Sequence, residues 1–331
     1  MQIYYLRETS KEGRDAGSKA RIDVENIFNK LKMKPISPFS SKENRLYTYL
    51  FFLWQLKKTN KSDIIVVQYP LPRGYNSLLK YIAKHRKIVA IIHDLTTLRF
   101  NKDFKDDRKQ LENLTYIVAH NKRMKDYLIS NGITVPIISL ELFDYLVDKE
   151  QKVNDHSNDN ELICFAGNLS KSNFIYKLPG SLLKLGINLY GIGFDSGRES
   201  ANELNYIGSF NSEDIVSKIK GRYGLVWDGD SSKYCAGNMG NYLKYNNPHK
   251  ASMYIAARMP LIVWTKSALA EFVQEEEIGL VVNSLDEIPY KTKKINTEEY
   301  NHMVSNVNKV RDKILNGLYL QNALKQIFEK E

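Results

Sequence analysis

Chemistry is densest in the segment Asn247-Pro248-His249-Lys250-Ala251-Ser252-Met253. Proline at a first helical position has its φ already set and gives up an N–H that would be unpaired there. The segment therefore predicts a helix opening at Pro248, with free amides and a dipole that favour an anion. Lys250 falls in the first turn, where a cation opposes the dipole. A bound phosphate would account for it, and a solvated lysine at a loop-to-helix junction is the plain alternative. A second ionisable group, His93-Asp94, follows the apolar run Lys87–Ile92. It reads either as a base that takes a proton or as a turn in which Asp94 bonds nearby amides. Asp228-Gly229-Asp230 follows the apolar Tyr223–Trp227. The D-x-D spacing suits a divalent cation, and it also suits a turn around glycine.

These residues need elements to place them. Apolar, β-branched runs predict strands over 2–6, 63–69, 87–92, 114–119 and 135–138, separated by helices over 18–32, 43–58, 74–83, 103–112 and from Asn121 to Asn131-Gly132. The alternation restarts with strands over 161–166, 187–192, 204–207, 223–227, 260–264 and 279–282. Helices are expected over 212–220, 248–257, 267–276, 297–315 and 317–329. Strand–helix alternation of this kind gives parallel, doubly wound α/β sheets, two in tandem. The polar stretch 148–160 reads as the boundary, giving domains over 1–150 and 160–315 and a closing helix over 316–331. Ligands bind beyond the carboxyl ends of such strands. Gly17, Ser18, Pro70, His93 and Asp94 fall there in the first sheet. Gly167-Asn168, Lys171, Phe210, Asp228, Asp230, the Pro248 helix start and Ser267 fall there in the second.

A net charge of +10 and a pI near 9.2 point to an anionic partner. The basic residues are scattered, as in Lys57-Lys58, Lys84 with Arg86-Lys87, and Lys291 with Lys293-Lys294, which argues against nucleic acid. Two isolated cysteines, Cys164 and Cys235, exclude a zinc ribbon or a disulfide scaffold and fit a reducing cytoplasm. The start of the chain lacks a signal-peptide pattern, and no apolar run approaches the ~20 residues that span a bilayer. The most apolar segment, Tyr47–Trp54, reads as core, subunit interface or membrane-surface contact.

Several short pieces, in a fixed order, span nearly the whole chain. They are Ile92-His93-Asp94 with Leu98-Arg99-Phe100, Phe165-Ala166-Gly167-Asn168, Gly224-Leu225-Val226-Trp227, and Pro248-His249-Lys250 running on through Ala256-Ala257 to Ser267-Ala268-Leu269-Ala270. On these pieces the chain resembles bacterial nucleotide-sugar glycosyltransferases of the GT-B type, with two Rossmann-like domains facing across a cleft. Among them it is most similar to the second-step glucosyltransferases of serine-rich-repeat adhesin O-glycosylation. The resemblance implies a UDP-sugar donor held mainly by the C-terminal domain, no metal or other cofactor, a final helix packing back on the N-terminal domain, and a homotetramer. It matches Lys250 and its helix start to the diphosphate site, puts Lys171 where the family has an arginine, and brings Phe210 near an aromatic at the nucleotide. Ser18 stands for a small hydroxyl residue that reaches the diphosphate. Gly17, Asn168, Asp228, Ser267 and Glu271 become candidate donor or acceptor contacts, with Glu271 at the ribose. Lysine in place of arginine keeps the point charge and loses bidentate recognition. The family's usual pair of acidic sugar-gripping residues has no obvious counterpart.

The implied activity is metal-independent, inverting transfer of glucose from UDP-glucose to a GlcNAc-modified serine or threonine of an adhesin, with Asp94 as the base and His93 second. A polysaccharide or galactofuranosyl transferase is the nearest alternative. A non-catalytic nucleotide-sugar-binding subunit is the alternative of another class.

Overall fold

In the computed structural model, residues 1–7, 16–36, 52–71, 76–147, 155–156, 159 and 162–331 are described. They form two compact units. One runs up to Glu141 and includes Tyr319–Glu331; the other is Leu142–Leu318. The division thus falls before the polar stretch that the sequence offers as a boundary, and most of 148–160 lies outside the described residues.

The first unit is built on β1 (Ile3–Leu6), β2 (Lys34–Ile36), β3 (Ile64–Tyr69), β4 (Lys87–Ile92), β5 (Tyr116–Ala119) and β6 (Ile137–Ser139). All pairs are parallel, in the order β2-β1-β3-β4-β5-β6. Every residue of β3 is buried, which is why its sequence is a continuous apolar run rather than an alternating one. Ile65, Val67, Ile88, Ala90 and Ile92 share a core with Leu79 and Ile82 of the helix Asn76–Ala83 and with Met124 and Leu128 of the helix Lys122–Ser130. Asn121 caps the latter by accepting the Met124 N–H at 2.9 Å. β2 was not expected from the sequence. It has three residues, two of them exposed, so it offers no period, and its Pro35 is tolerated because the strand is an edge.

The second unit carries β7 (Ile163–Ala166), β8 (Ile187–Tyr190), β9 (Asn205–Gly208), β10 (Tyr223–Val226), β11 (Leu261–Trp264) and β12 (Gly279–Val282). Its parallel order is β12-β11-β10-β7-β8-β9. The chain builds outward from β7 through β9, returns to the other side of β7 as β10, and builds outward again. Order therefore reverses between β7 and β10, and that crevice is where a doubly wound sheet binds ligand. The helix Thr297–Asn316 opens with a capping box between Asn296 and Glu299 and stops at Gly317, whose φ of 77° suits a left-handed cap. Leu318–Phe328 follows as a separate helix.

Other departures are local. The helix expected over 212–220 is helical only at Ile215–Lys218, and Gly237–Tyr242 and Ile288–Lys294 are further helices. The first helix begins at Ala16, so Gly17 and Ser18 lie in its first turn and not in the loop before it. Residues 8–15 before that helix and most of the helix expected over 43–58 lie outside the described residues; 52–57 is helical. No helix among the described residues is long and apolar enough to cross a membrane.

Candidate active site at the β7–β10 crevice

The crevice is framed by the residues that leave β7 and β10. Beyond β7 the chain passes Gly167. Beyond β10 it passes Trp227 and Asp228, then crosses to the helix His249–Ala256, which leads to β11. Pro248 is the N-cap of this helix and not its first residue, since its ψ of 137° is extended. The first helical residue is His249, and Lys250 is the second. The Ala251 amide is taken by the Pro248 carbonyl at 2.9 Å, whereas the Lys250 amide has no partner among the described residues.

Lys250 reaches back into the crevice. Its Nζ donates to the Trp227 carbonyl at 3.2 Å and to Asp228 Oδ1 at 2.9 Å, and lies 4.8 Å from the centre of the Phe165 ring. The lysine side chain is 14% exposed and the aspartate 20%. Two of the three ammonium donors are thus committed and one remains for a ligand. A Cβ placed on Gly167 would lie 3.8 Å from this ammonium and 3.7 Å from Phe165. Protein packing therefore does not demand glycine there. Its absence of side chain keeps the space before Lys250 clear. Gly191 is different: its φ is +131°, and a Cβ would come within 1.8 Å of the Gly167 carbonyl oxygen. It lets the segment after β8 run alongside the crevice floor, with the Gly167 amide donating to Tyr190 and the Leu169 amide to Ile192.

The helix that presents Lys250 is held by Tyr254, one turn on. The Tyr254 ring packs against Gly224 of β10 so closely that a Cβ there would lie 2.2 Å from it. Its hydroxyl oxygen accepts the Ala166 N–H at 2.7 Å, where β7 ends. Burial pushes the Tyr254 phenol far above its ordinary range, so it stays neutral. One side chain thus ties the helix to both strands of the crevice. Its place four residues after Lys250, on the same helix face, was the available signal in the sequence.

The expected site residues divide. Asp228 and Lys250 meet at the crevice, and Gly167 borders it. Ser252 is committed elsewhere, donating its hydroxyl to the Phe143 carbonyl at 2.6 Å, and Ala251 and Met253 are buried in the core. The side chains of these three anchor the helix. His249 stacks on Tyr145 at 4.9 Å and meets Phe143 edge-on. Asn168 is exposed and caps the turn Leu169–Lys171 through the Ser170 amide. Lys171 ends that turn, exposed and without an ion pair among the described residues. Phe210 lies 6.2 Å from the Tyr190 ring, Glu271 is exposed, and Ser267 is buried with its hydroxyl unpartnered among the described residues. Asp230 turns from Asp228, accepting from Asn173 at 3.1 Å. The two carboxylates of D-x-D therefore serve different partners. Among the described residues no three His, Cys, Asp or Glu side chains are grouped to hold a metal ion.

In the first unit His93 and Asp94 follow β4. His93 Nε2 is 2.8 Å from Gln68 Oε1, while Gln68 Nε2 donates to the Arg21 carbonyl at 3.3 Å. An amide so oriented can only accept at Oε1, so the His93 proton sits on Nε2. Asp94 Oδ2 accepts from Arg99 at 2.6 Å, an ion pair in which both side chains are about a third exposed or less. Below them His120, fully buried, bonds the His93 carbonyl at 3.1 Å, and burial pushes its pKa down to about 4. Gln68 and His120 are contacts that sequence pattern could not supply, since each lies 25 or more positions from His93, whereas Arg99 follows Asp94 by five residues.

Comparison with known proteins agrees with this architecture. The "Glucosyltransferase 3-like" N-terminal and C-terminal domain models match residues 3–142 and 163–327. The chain is 28% identical over 336 residues to the beta-1,6-galactofuranosyltransferase WbbI of Escherichia coli (strain K12), covering 99% of this chain and 98% of the relative. It is 24% identical to Glucosyltransferase 3 of Streptococcus gordonii, covering 90% and 88%. Sucrose-phosphate synthase from Thermosynechococcus elongatus superposes with a TM-score of 0.62 at 12% identity, with 100% of each chain covered, a likeness of GT-B fold. The chain belongs to the Glucosyltransferase 3-like family and is a glycosyltransferase of GT-B fold.

Proposed function

We propose that the chain transfers a hexosyl group from a UDP-sugar to an acceptor hydroxyl without a metal. The observation that carries this reading is the Lys250 ammonium, fixed at the β7–β10 crevice with one donor unspent and Gly167 leaving the space before it clear. As the bond from the anomeric carbon to UDP breaks, charge gathers on the departing diphosphate. Lys250, its own amide, and Lys171 stabilise that charge. The acceptor oxygen forms the new bond to the anomeric carbon and gives its proton to Asp94, with His93 the second candidate. Arg99 keeps the Asp94 carboxylate in one orientation.

Glucose as the transferred sugar is supported by the names of the two family models and of the streptococcal relative; for the donor and acceptor the reading takes UDP-glucose and a GlcNAc-modified serine or threonine. This reading includes a cytoplasmic homotetramer. A second reading, transfer of galactofuranose to a glycan, is favoured by the higher identity and nearly complete coverage of the Escherichia coli relative. UDP release measured over both donors, with a GlcNAc-modified peptide or an oligosaccharide as acceptor, separates them. Release with UDP-glucose and the peptide supports the first, and release with UDP-galactofuranose and the oligosaccharide supports the second. Activity abolished by a chelator would remove metal independence. UDP binding without release from any donor would leave a nucleotide-sugar-binding subunit and end the transfer reading.

A further inference from the structure

The positive charge of the chain belongs to one half of it. Residues 1–141 contain 26 lysines and arginines against 14 acidic residues, a net +12, whereas residues 142–331 contain 22 against 24, a net −2. The parallel sheet of the first unit gathers much of this charge on one edge. β2, β1, β3 and β4 are neighbours running in one direction, so every segment that enters them opens on the same side. Lys32 and Lys34 stand at the entry to β2, Lys57, Lys58 and Lys61 at the entry to β3, and Lys84 at the entry to β4. All six are exposed, and none has an ion pair among the described residues. Arg86 binds the β3 and β4 entries together, donating to the Leu56 and Thr59 carbonyls and to Thr59 Oγ1.

The acidic groups on this edge do not cancel that charge. Asp63 is buried and spends its carboxylate on the Gln2 and Asn60 amides. Glu331 pairs with Lys87, and Glu329 with Lys325. Apolar side chains project among the lysines: Trp54 is 51% exposed, Tyr81 45% and Leu31 37%. Lys58 Nζ stands 3.3 Å above the Trp54 ring. Tryptophan and tyrosine with lysine around them suit a surface that is anionic outside and apolar a few ångströms further in. Duplex nucleic acid offers the anion with its bases already stacked inside, so an exposed Trp54, Tyr81 and Leu31 would gain little from its phosphates.

We infer that this edge of the first unit docks on an anionic phospholipid surface, with the lysines on the headgroups and Trp54 in the interfacial layer. The inference stands apart from the transfer reading. His93 and Asp94 leave the opposite, carboxyl edge of the same sheet, so the docked face does not compete with them.

The test mixes the full chain with vesicles of pure phosphatidylcholine or of phosphatidylcholine containing one third phosphatidylglycerol, at low and high salt. Trp227 and Trp264 are buried, so quenching by bromine-labelled lipid reads Trp54. The expected result is binding to the anionic vesicles alone, reversal by salt, and quenched fluorescence. The triple variant Lys57→Glu, Lys58→Glu, Lys61→Glu should lower the partition coefficient by ~100-fold or more. An equal charge change on the other edge, Lys102→Glu, Lys105→Glu, Lys122→Glu, should lower it by less than ~10-fold because screening limits its reach. No partition of the unmodified chain, unquenched Trp54, equal losses in the two triples, or displacement of the vesicles by duplex DNA would each overturn the inference.

Discussion

Lys250 Nζ and Asp228 Oδ1 are 2.9 Å apart, so the cation at the crevice carries its own counter-charge before any ligand arrives. The aspartate holds the ammonium in place and also repels an incoming anion. Replacing Asp228 by Asn keeps an acceptor for Lys250 and removes the repulsion. UDP should then bind about 5-fold tighter, on the order of 1 kcal/mol for a partly exposed pair. Lys250→Ala should weaken UDP by about 30-fold, because it leaves Asp228 unpaired beside the anion. Calorimetric titration with UDP reads both, and unchanged affinity in Lys250→Ala would remove the lysine from the diphosphate site.

Asp94→Asn should lower kcat by about 10²–10⁴-fold with KM little altered, since the amide keeps the size and loses the basic oxygen. Steady-state UDP release with saturating acceptor measures it. If most of kcat survives, the base lies elsewhere, and His93→Gln becomes the next variant.

Tyr254→Phe removes the acceptor of the Ala166 N–H while leaving the ring against Gly224. An unpaired buried amide costs about 1–3 kcal/mol, so the denaturant midpoint should fall with an unchanged slope. A midpoint equal to that of the parent would show that water or a shifted backbone replaces the hydroxyl.

Gly191→Ala should be more damaging than Gly167→Ala, although both glycines border the crevice. At Gly191 the added carbon meets a carbonyl oxygen and the φ of +131° is hostile to a side chain. That variant should lose stability by about 1–3 kcal/mol or more. At Gly167 the added carbon meets no protein atom closer than 3.7 Å, so stability should hold and UDP affinity should fall. Thermal melts with and without UDP separate the two effects.

His120 ties stability to pH. Burial holds its pKa near 4, against an ordinary 6.5, so the fold prefers the neutral ring. Above pH 6.5 neither folded nor unfolded chain carries this proton and the stability is complete. As pH falls from 6.5 to 4 the unfolded chain gains a proton that the folded chain refuses, which removes about 3 kcal/mol. His120→Gln should flatten that part of the acid limb in urea titrations, and an unchanged limb would place the titrating group elsewhere.

The tandem parallel sheets were legible because β3, β4, β10 and β11 are short apolar runs, and runs covered on both faces need no partner to be recognised. Lys250 was legible for a related reason: a proline followed by a first-turn cation is a local pattern. Local pattern also misled. It made Pro248 the first helical residue when it is the cap.

By itself, then, the sequence determined the α/β class, the approximate ends of the strands, and the lysine that opens the helix at the crevice, because each follows from burial period or turn chemistry within a few residues. Tertiary structure decided which of those residues meet. Asp228 finds Lys250 across 22 positions, Tyr254 finds Ala166 across 88, and Gln68 finds His93 across 25. Such pairs depend on the order in which parallel strands lie side by side, and no spacing along the chain encodes it.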